Sequence, residues 1–211
     1  MVGRPALTRE EMQAATDPEL VEAYLAGDQR AFETLVQRHQ DRVYRLCLRT
    51  VHDPKRAEEA AQEVFIKVYR HLAKFRGESK FTTWLYRVAL NHCRNVQAYR
   101  ARRHEKRHDS LDAEIEGADG SYRRELADDR PDAEADLLLN ERLTIMKEEL
   151  ARLDPIWKEI LVLRDVEGLS YEEIGQTLEL APGTVKSRIH RARGELKARL
   201  ARRLKGDERI A

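Results

Sequence analysis

A chain of 211 residues is long enough for two small domains. Charged residues make up 36% and aromatics only 6%, which argues against a large β core and for helices with wide polar faces. The net charge of +1 conceals segregation: residues 182–205 hold nine Lys/Arg and one acid, whereas residues 104–136 hold five Lys/Arg and twelve acids, a split suited to polyanion binding at selected places. No apolar run approaches about 18 residues and no signal-peptide pattern is present, so a soluble, cytoplasmic protein without membrane insertion is expected. Cys47 and Cys93 lack metal-site spacing. No metal or cofactor is expected, and both thiols read as reduced and packed.

Residues 1–16 show no clear apolar period and read as a loose tail. Asp17-Pro18 then supplies a helix cap followed by proline at the first helical position, with Leu20, Val21, Tyr24 and Leu25 at helical spacing. Gly27-Asp28 breaks the pattern. A longer helix follows on Phe32, Leu35, Val36, His39, Val43, Leu46 and Cys47; His39 lies on its apolar stripe and reads as a satisfied, partly buried histidine. Asp53-Pro54 starts another helix in the same way. Ala57, Ala61, Val64, Phe65, Val68 and Leu72 form its inward stripe. The opposite face carries Glu59, Gln62, Glu63, Arg70 and Ile66, and an isoleucine among carboxylates is either an ordinary exposed apolar residue or the centre of a docking surface.

Residues 75–80 read as a loop, and a helix is predicted from about Thr82 to Arg102. Phe81, Leu85, Val88, His92, Val96 and Tyr99 make its core stripe, while Thr83, Arg87, Asn91, Arg94 and Ala98 line another face. With Ser79, Lys80 and Trp84 beside it, that face suits a nucleic-acid backbone and an unstacked base; a solvated basic helix face has the same pattern. Asp109 to Asp136 is acidic, contains Gly117, Gly120 and Pro131, and reads as a flexible linker. Residues 137–153 form an amphipathic helix on Leu139, Leu143, Met146 and Leu150. Asp154-Pro155 caps the next, which is expected to bury Ile156, Ile160, Leu161 and Leu163. Ser170 and Glu173 have capping-box spacing, Glu179 to Ala181 is short enough only for a turn, and Pro182 opens a last helix. There Val185, Ile189, Ala192 and Leu196 form one apolar stripe. Ser187, His190, Arg191 and Gly194 face the other way, with Thr184 and Lys186 on the flanks. This is helix-turn-helix spacing with a reading face fit for a major groove, although helical hairpins with a solvated basic face share it. Glu179 occupies a turn position where glycine is frequent and is expected to take a conformation with φ below zero.

The wording of these segments resembles the extracytoplasmic-function sigma factors, the small bacterial subunits that direct RNA polymerase to promoters. LSYEEI followed by PGTVKSRIHRAR resembles their region 4, AEEAAQEVFIKVY their region 2.2, and FRGESKFTTWLYRVALNHCRN their regions 2.3 and 2.4. The resemblance spans about Asp17 to Arg103 and Leu137 to Arg203, in the family's order. It implies an all-α fold in two helical domains: region 2 over 17–104 and region 4 over 137–205, joined by an acidic linker over 105–136, behind a tail over 1–16. It implies core-polymerase docking through Glu59, Gln62, Glu63 and Ile66 on the β′ coiled coil, with the β flap as a second contact. Minus-ten recognition falls to Ser79, Lys80, Thr83, Trp84, Arg87, Asn91 and Arg94, and minus-thirty-five recognition to Thr184, Lys186, Ser187, Arg188, His190 and Arg191. Where housekeeping sigma factors carry two adjacent tryptophans, this chain has Trp84 then Leu85, the pattern of the extracytoplasmic-function group.

What the resemblance implies, then, is a non-enzymatic initiation factor that binds core polymerase and promoter DNA, restrained by an anti-sigma factor that in many members is membrane-bound. The rival reading is a stand-alone helix-turn-helix regulator, which leaves Gln62, Glu63, Ile66, Arg87 and Arg94 without a purpose. An enzyme such as a nuclease lacks an acidic cluster with metal-site spacing.

Overall fold

The computed structural model describes residues 8–108 and 133–207, and among them every regular element is helical. Helix α1 (Arg9–Ala14) is a departure from the expected loose tail. Thr8 and Glu11 form a capping box and Met12 is buried in the core, so a single apolar residue anchors a segment too short to show a period. Helix α2 (Asp17–Leu25) is capped by Thr16, whose backbone N–H and hydroxyl both donate to Glu19 Oε2 at 2.7 Å. Asp17, expected as the cap, instead ties α2 to α3 (Gln29–Val51) through Arg38 at 2.7 Å and His39 Nε2 at 2.8 Å. Burial raises the Asp17 pKa, but the bonds from His39 and Arg38 outweigh it and leave the carboxyl below its ordinary value.

Helix α4 (Pro54–His71) starts where predicted, with Asp53 Oδ1 accepting from the Arg56 N–H at 2.9 Å. It buries Ala57, Ala60, Ala61, Val64 and Val68, and Leu72 follows in a 3-10 turn. Helix α5 (Phe81–His108) packs on both α3 and α4, and α2 packs on α3. Each fully buried Leu or Val side chain here contributes about 1.5–3 kcal/mol. The buried side of α5 differs from the predicted stripe: Tyr86, Ala89, Leu90 and Cys93 are buried as well, while Tyr99 is 60% exposed. A 28-residue helix touched by several neighbours buries more than one stripe, and its outer end runs past the core. Cys47 and Cys93 are free and buried, as expected.

The second group is α6 (Ala133–Ala151), α7 (Pro155–Leu161), α8 (Tyr171–Leu178) and α9 (Pro182–Asp207), with α9 packed on the other three. The expected stripe of α6 is corrected. Leu150 packs on the core as expected, but Leu143 and Met146 are exposed and Ile145 and Glu149 turn inward instead, with Leu153 buried just past the end of the helix; the side chain of Leu139 lies outside the described residues. Ile156 is likewise exposed, although it lies one turn before the buried Ile160 on the same face of α7; it lines an open cleft with Leu178 and Arg188. After α7 the chain widens into a π-helical turn over Val162–Val166, closed by the Glu167 N–H donating to Val162 O at 3.0 Å. Both ends of the expected linker are helical, at 105–108 and 133–136; residues 109–132, like residues 1–7, lie outside the described residues. Among the described residues no helix is long and apolar enough to cross a membrane.

Candidate nucleic-acid interface

Two backbone devices build the helix-turn-helix. The Glu173 N–H donates to Ser170 Oγ at 3.1 Å and the Ser170 N–H to Glu173 Oε2 at 2.7 Å, completing the predicted capping box. At the other end of α8 the chain reverses through Glu179, and here the expectation fails: Glu179 has φ +57, in the left-handed region. That conformation lets the Leu180 N–H reach Gly175 O at 2.8 Å, the closing bond of a Schellman turn. Gly175 is required by the same closure, since a Cβ there would stand 2.8 Å from Leu180 O.

Helix α9 then buries Val185, Ile189 and Ala192 and presents Lys186, Ser187, His190 and Arg191 to solvent, with Thr184 and Arg188 half-buried. Further along, Arg193 pairs with Asp165 and Arg199 with Glu195 at 2.8 Å. Among the described residues no ion pair holds Lys186, Arg188 or Arg191. The structure thus brings the six residues expected at the minus-thirty-five element to the first three turns of one helix, with the Ser187 hydroxyl donating to Thr184 O at 3.0 Å and no ion pair on the three cations among the described residues.

The α5 row is arranged differently. Trp84 is half-buried in an aromatic cluster with Phe75 (5.4 Å) and Phe81 (6.0 Å), which fixes its ring beside the 75–80 loop. Asn91 is exposed; Ser79 and Arg87 are half-buried. Thr83 is buried with no partner for its hydroxyl and so is not presented with the others. The two ends of the row are occupied. Lys80 Nζ lies 2.8 Å from Glu173 Oε1, and the Arg94 guanidinium forks onto Glu159, with Nε at 2.9 Å from Oε1. The Lys80 bond and the Ser170 N–H hold the Glu173 carboxyl below its ordinary value, and Glu159 raises the Arg94 pKa.

These contacts join α5 to α7 through Arg94 and Glu159, and α5 with the residue before it to α8. They continue at Glu167, which accepts from the Tyr86 hydroxyl at 2.8 Å and lies 3.4 Å from Arg49 Nη1. They end at Lys158, whose Nζ bonds His52 Nε2. Burial and the Glu167 bond push the Tyr86 phenol up, while burial and the Lys158 charge push His52 down. Arg49, Tyr86, Glu159 and Glu167 were not foreseen as a group. Arg49, Tyr86 and Glu159 sit on helix faces that read as ordinary and Glu167 in the bend after the π-helical turn, and nothing in the sequence signals a pairing across 65 to 118 positions.

On α4, Glu59, Gln62, Glu63 and Ile66 are all exposed, Ile66 by 49%, on the side away from Val64 and Val68. The neighbouring Lys67 bonds the buried ring of His92 at 2.6 Å. Glu63 Oε2 stands 3.5 Å from the other ring nitrogen, too far and too poorly aligned to satisfy it.

Residues 35–107 match the model of Sigma-70 region 2, and residues 143–196 that of Sigma-70, region 4. The chain is 39% identical over 179 residues to the RNA polymerase sigma-H factor of Pseudomonas aeruginosa, covering 84% of this chain and 90% of that one. It is 40% identical over 179 residues to the ECF RNA polymerase sigma-E factor of Haemophilus influenzae, at 84% and 92% coverage. Among solved structures it is similar to CnrH in complex with the cytosolic domain of CnrY, with a TM-score of 0.61 and 26% identity over 88% of this chain and 97% of that one. Two helical modules in this order, one with a helix-turn-helix, define a transcription-initiation protein rather than a stand-alone regulator. The chain belongs to the extracytoplasmic-function RNA polymerase sigma factors.

Proposed function

We propose that residues 17–104, extended back through α1, form the module that holds core polymerase and the minus-ten element, and that residues 137–205 form the module that reads the minus-thirty-five element. The exposed set Lys186, Ser187, His190 and Arg191 on α9, with no ion pair on its cations, is the observation that carries this reading. Groove recognition needs side chains that spend no energy leaving other partners. Arg87, Asn91, Arg94 and Lys80 hold the minus-ten strand and Trp84 offers a stacking surface to a base. Thr83 contributes by packing. Glu59, Gln62, Glu63 and Ile66 dock on the polymerase β′ coiled coil, with Ile66 as the apolar centre and the carboxylates as its rim, and the second module contacts the β flap. The protein does no covalent chemistry, works in the bacterial cytoplasm, and is restrained by an anti-sigma factor. CnrH, seen with the cytosolic domain of CnrY, supports that last point. Transcription by purified core enzyme from a library of promoter sequences tests the reading. A shared pair of elements among the active promoters is expected, whereas activity independent of this chain sinks the proposal.

A further inference from the structure

Helix α4 carries Glu63 and Lys67 one turn apart, acid before base, the order that favours an ion pair on a helix surface. That pair does not form: among the described residues Lys67 makes no ion pair. Its ammonium instead donates to Nδ1 of His92 at 2.6 Å, across the packing of α4 on α5. An ammonium has donors only, so Nδ1 accepts and the ring proton sits on Nε2. His92 is 4% exposed. Burial and then the Lys67 charge hold its pKa below the ordinary value, which keeps the ring the neutral acceptor that Lys67 requires. The Nε2 hydrogen is left without an acceptor, 3.5 Å from a Glu63 oxygen. Glu63 itself, 62% exposed on its side chain, stays beside Ile66 with no lysine or arginine paired to it. We propose that His92 is a positioning residue for polymerase docking: by drawing Lys67 inward, it keeps the Glu63 carboxylate clear of the cation on its own helix and available to the β′ coiled coil. The proposal rests on the assignment of Glu63 and Ile66 to the docking face.

A carboxylate at the rim of an interface acts through complementarity, speeding the encounter and fixing its register. A lysine paired with it would have to be displaced on docking, and its charge would meet the same cations the carboxylate is there to attract. Turned toward α5, Lys67 is half-buried and its charge is spent on a neutral ring. Glu159, whose charge reaches Cys93 as that of Lys67 does, is already taken by Arg94. Deprived of the ring, Lys67 therefore has Glu63, one turn away on its own helix, as its open carboxylate.

The test titrates the full chain with core polymerase. His92→Leu keeps an apolar side chain of similar size in the core and removes the acceptor. Its dissociation constant for core polymerase is expected to rise about two- to fivefold, and its crystal structure should show Lys67 paired with Glu63. Adding Lys67→Gln to His92→Leu should return the affinity to the wild-type value, a rescue that a damaged fold cannot give. Lys67→Gln alone should not weaken capture. His92→Asn, whose amide oxygen stands close to the place of Nδ1, should retain most of it, and a melting curve accompanies each variant. Unchanged affinity in His92→Leu overturns the proposal. A loss that Lys67→Gln does not reverse leaves His92 with a packing role and overturns it as well. Glu63→Gln separates this from the reading beneath it. If Glu63→Gln leaves core affinity unchanged, Glu63 is off the docking face and the role of His92 falls with it. If Glu63→Gln weakens capture and His92→Leu does not, the docking face stands and only the role of His92 is lost.

Discussion

Arg191 and Lys186 are both exposed cations on α9, yet they sit differently. Arg191 lies near the centre of the face opposite Val185, Ile189 and Ala192, where a planar fork reaches guanine bidentately. Lys186 lies on the flank of the first turns, where a flexible charge meets backbone. Arg191→Ala is expected to cost about 1–3 kcal/mol at the minus-thirty-five element and to relax preference at one or two base pairs. Lys186→Ala should weaken all sequences evenly and lower the salt slope by about one ion. Affinities for single-base variants at several salt concentrations separate the two roles, and the opposite pattern reverses the assignment. Glu179 is a different kind of residue, held at φ +57 by the turn it closes. Glu179→Gly removes left-handed strain and should stabilise the chain by about 1 kcal/mol. The midpoint of denaturant unfolding, taken at high salt to screen the attraction of Glu179 for Arg94, measures it; a lower midpoint rules the strain argument out.

Helix α4 shows how far a single element carries its own instructions. Asp53 and Pro54 start it, a stripe from Ala57 to Leu72 buries it, and the opposite face is left with Ile66 exposed. Ile66→Asp is therefore expected to weaken capture of core polymerase while the melting temperature holds, whereas Val64→Asp, fully buried, should unfold the domain. A pulldown beside a melting curve decides it: undiminished capture with an unchanged melt excludes this face. All of α4, the capping box of α8 and the buried stripe of α9 were legible in the sequence, because period and caps are local signals. Helix α1 was not, since one buried methionine makes no period, and neither was the inward face of α6, whose exposed Leu143 and Met146 break the rule that an apolar stripe points to the core. The left-handed Glu179 escaped because side-chain preference there yields to the closure between Leu180 and Gly175.

At the scale of the molecule, what the sequence could not announce is the contact between its halves, which depends on charges 65 or more positions apart. His52 makes that contact sensitive to pH. Burial and then the Lys158 ammonium disfavour its protonated form, so its pKa in the packed state lies below the ordinary 6.5. Protons bind more readily once the halves part, so the contribution of His52 to closure is present above about pH 6.5 and is lost as pH falls through its lowered value. Between pH 7 and 5.5 the radius of gyration of the free chain should rise. His52→Asn, which tolerates the left-handed backbone at φ 58, should flatten that response; an equally steep rise in the variant points to other groups. The division of labour on α9 has a wider consequence. Val185, Ile189 and Ala192 hold the helix in place, and Lys186, Ser187, His190 and Arg191 face outward without ion pairs. No residue serves both duties, so the promoter vocabulary of the protein can drift, duplicate and diverge, or be rewritten by an engineer building mutually silent gene circuits, with the scaffold beneath it left as it is.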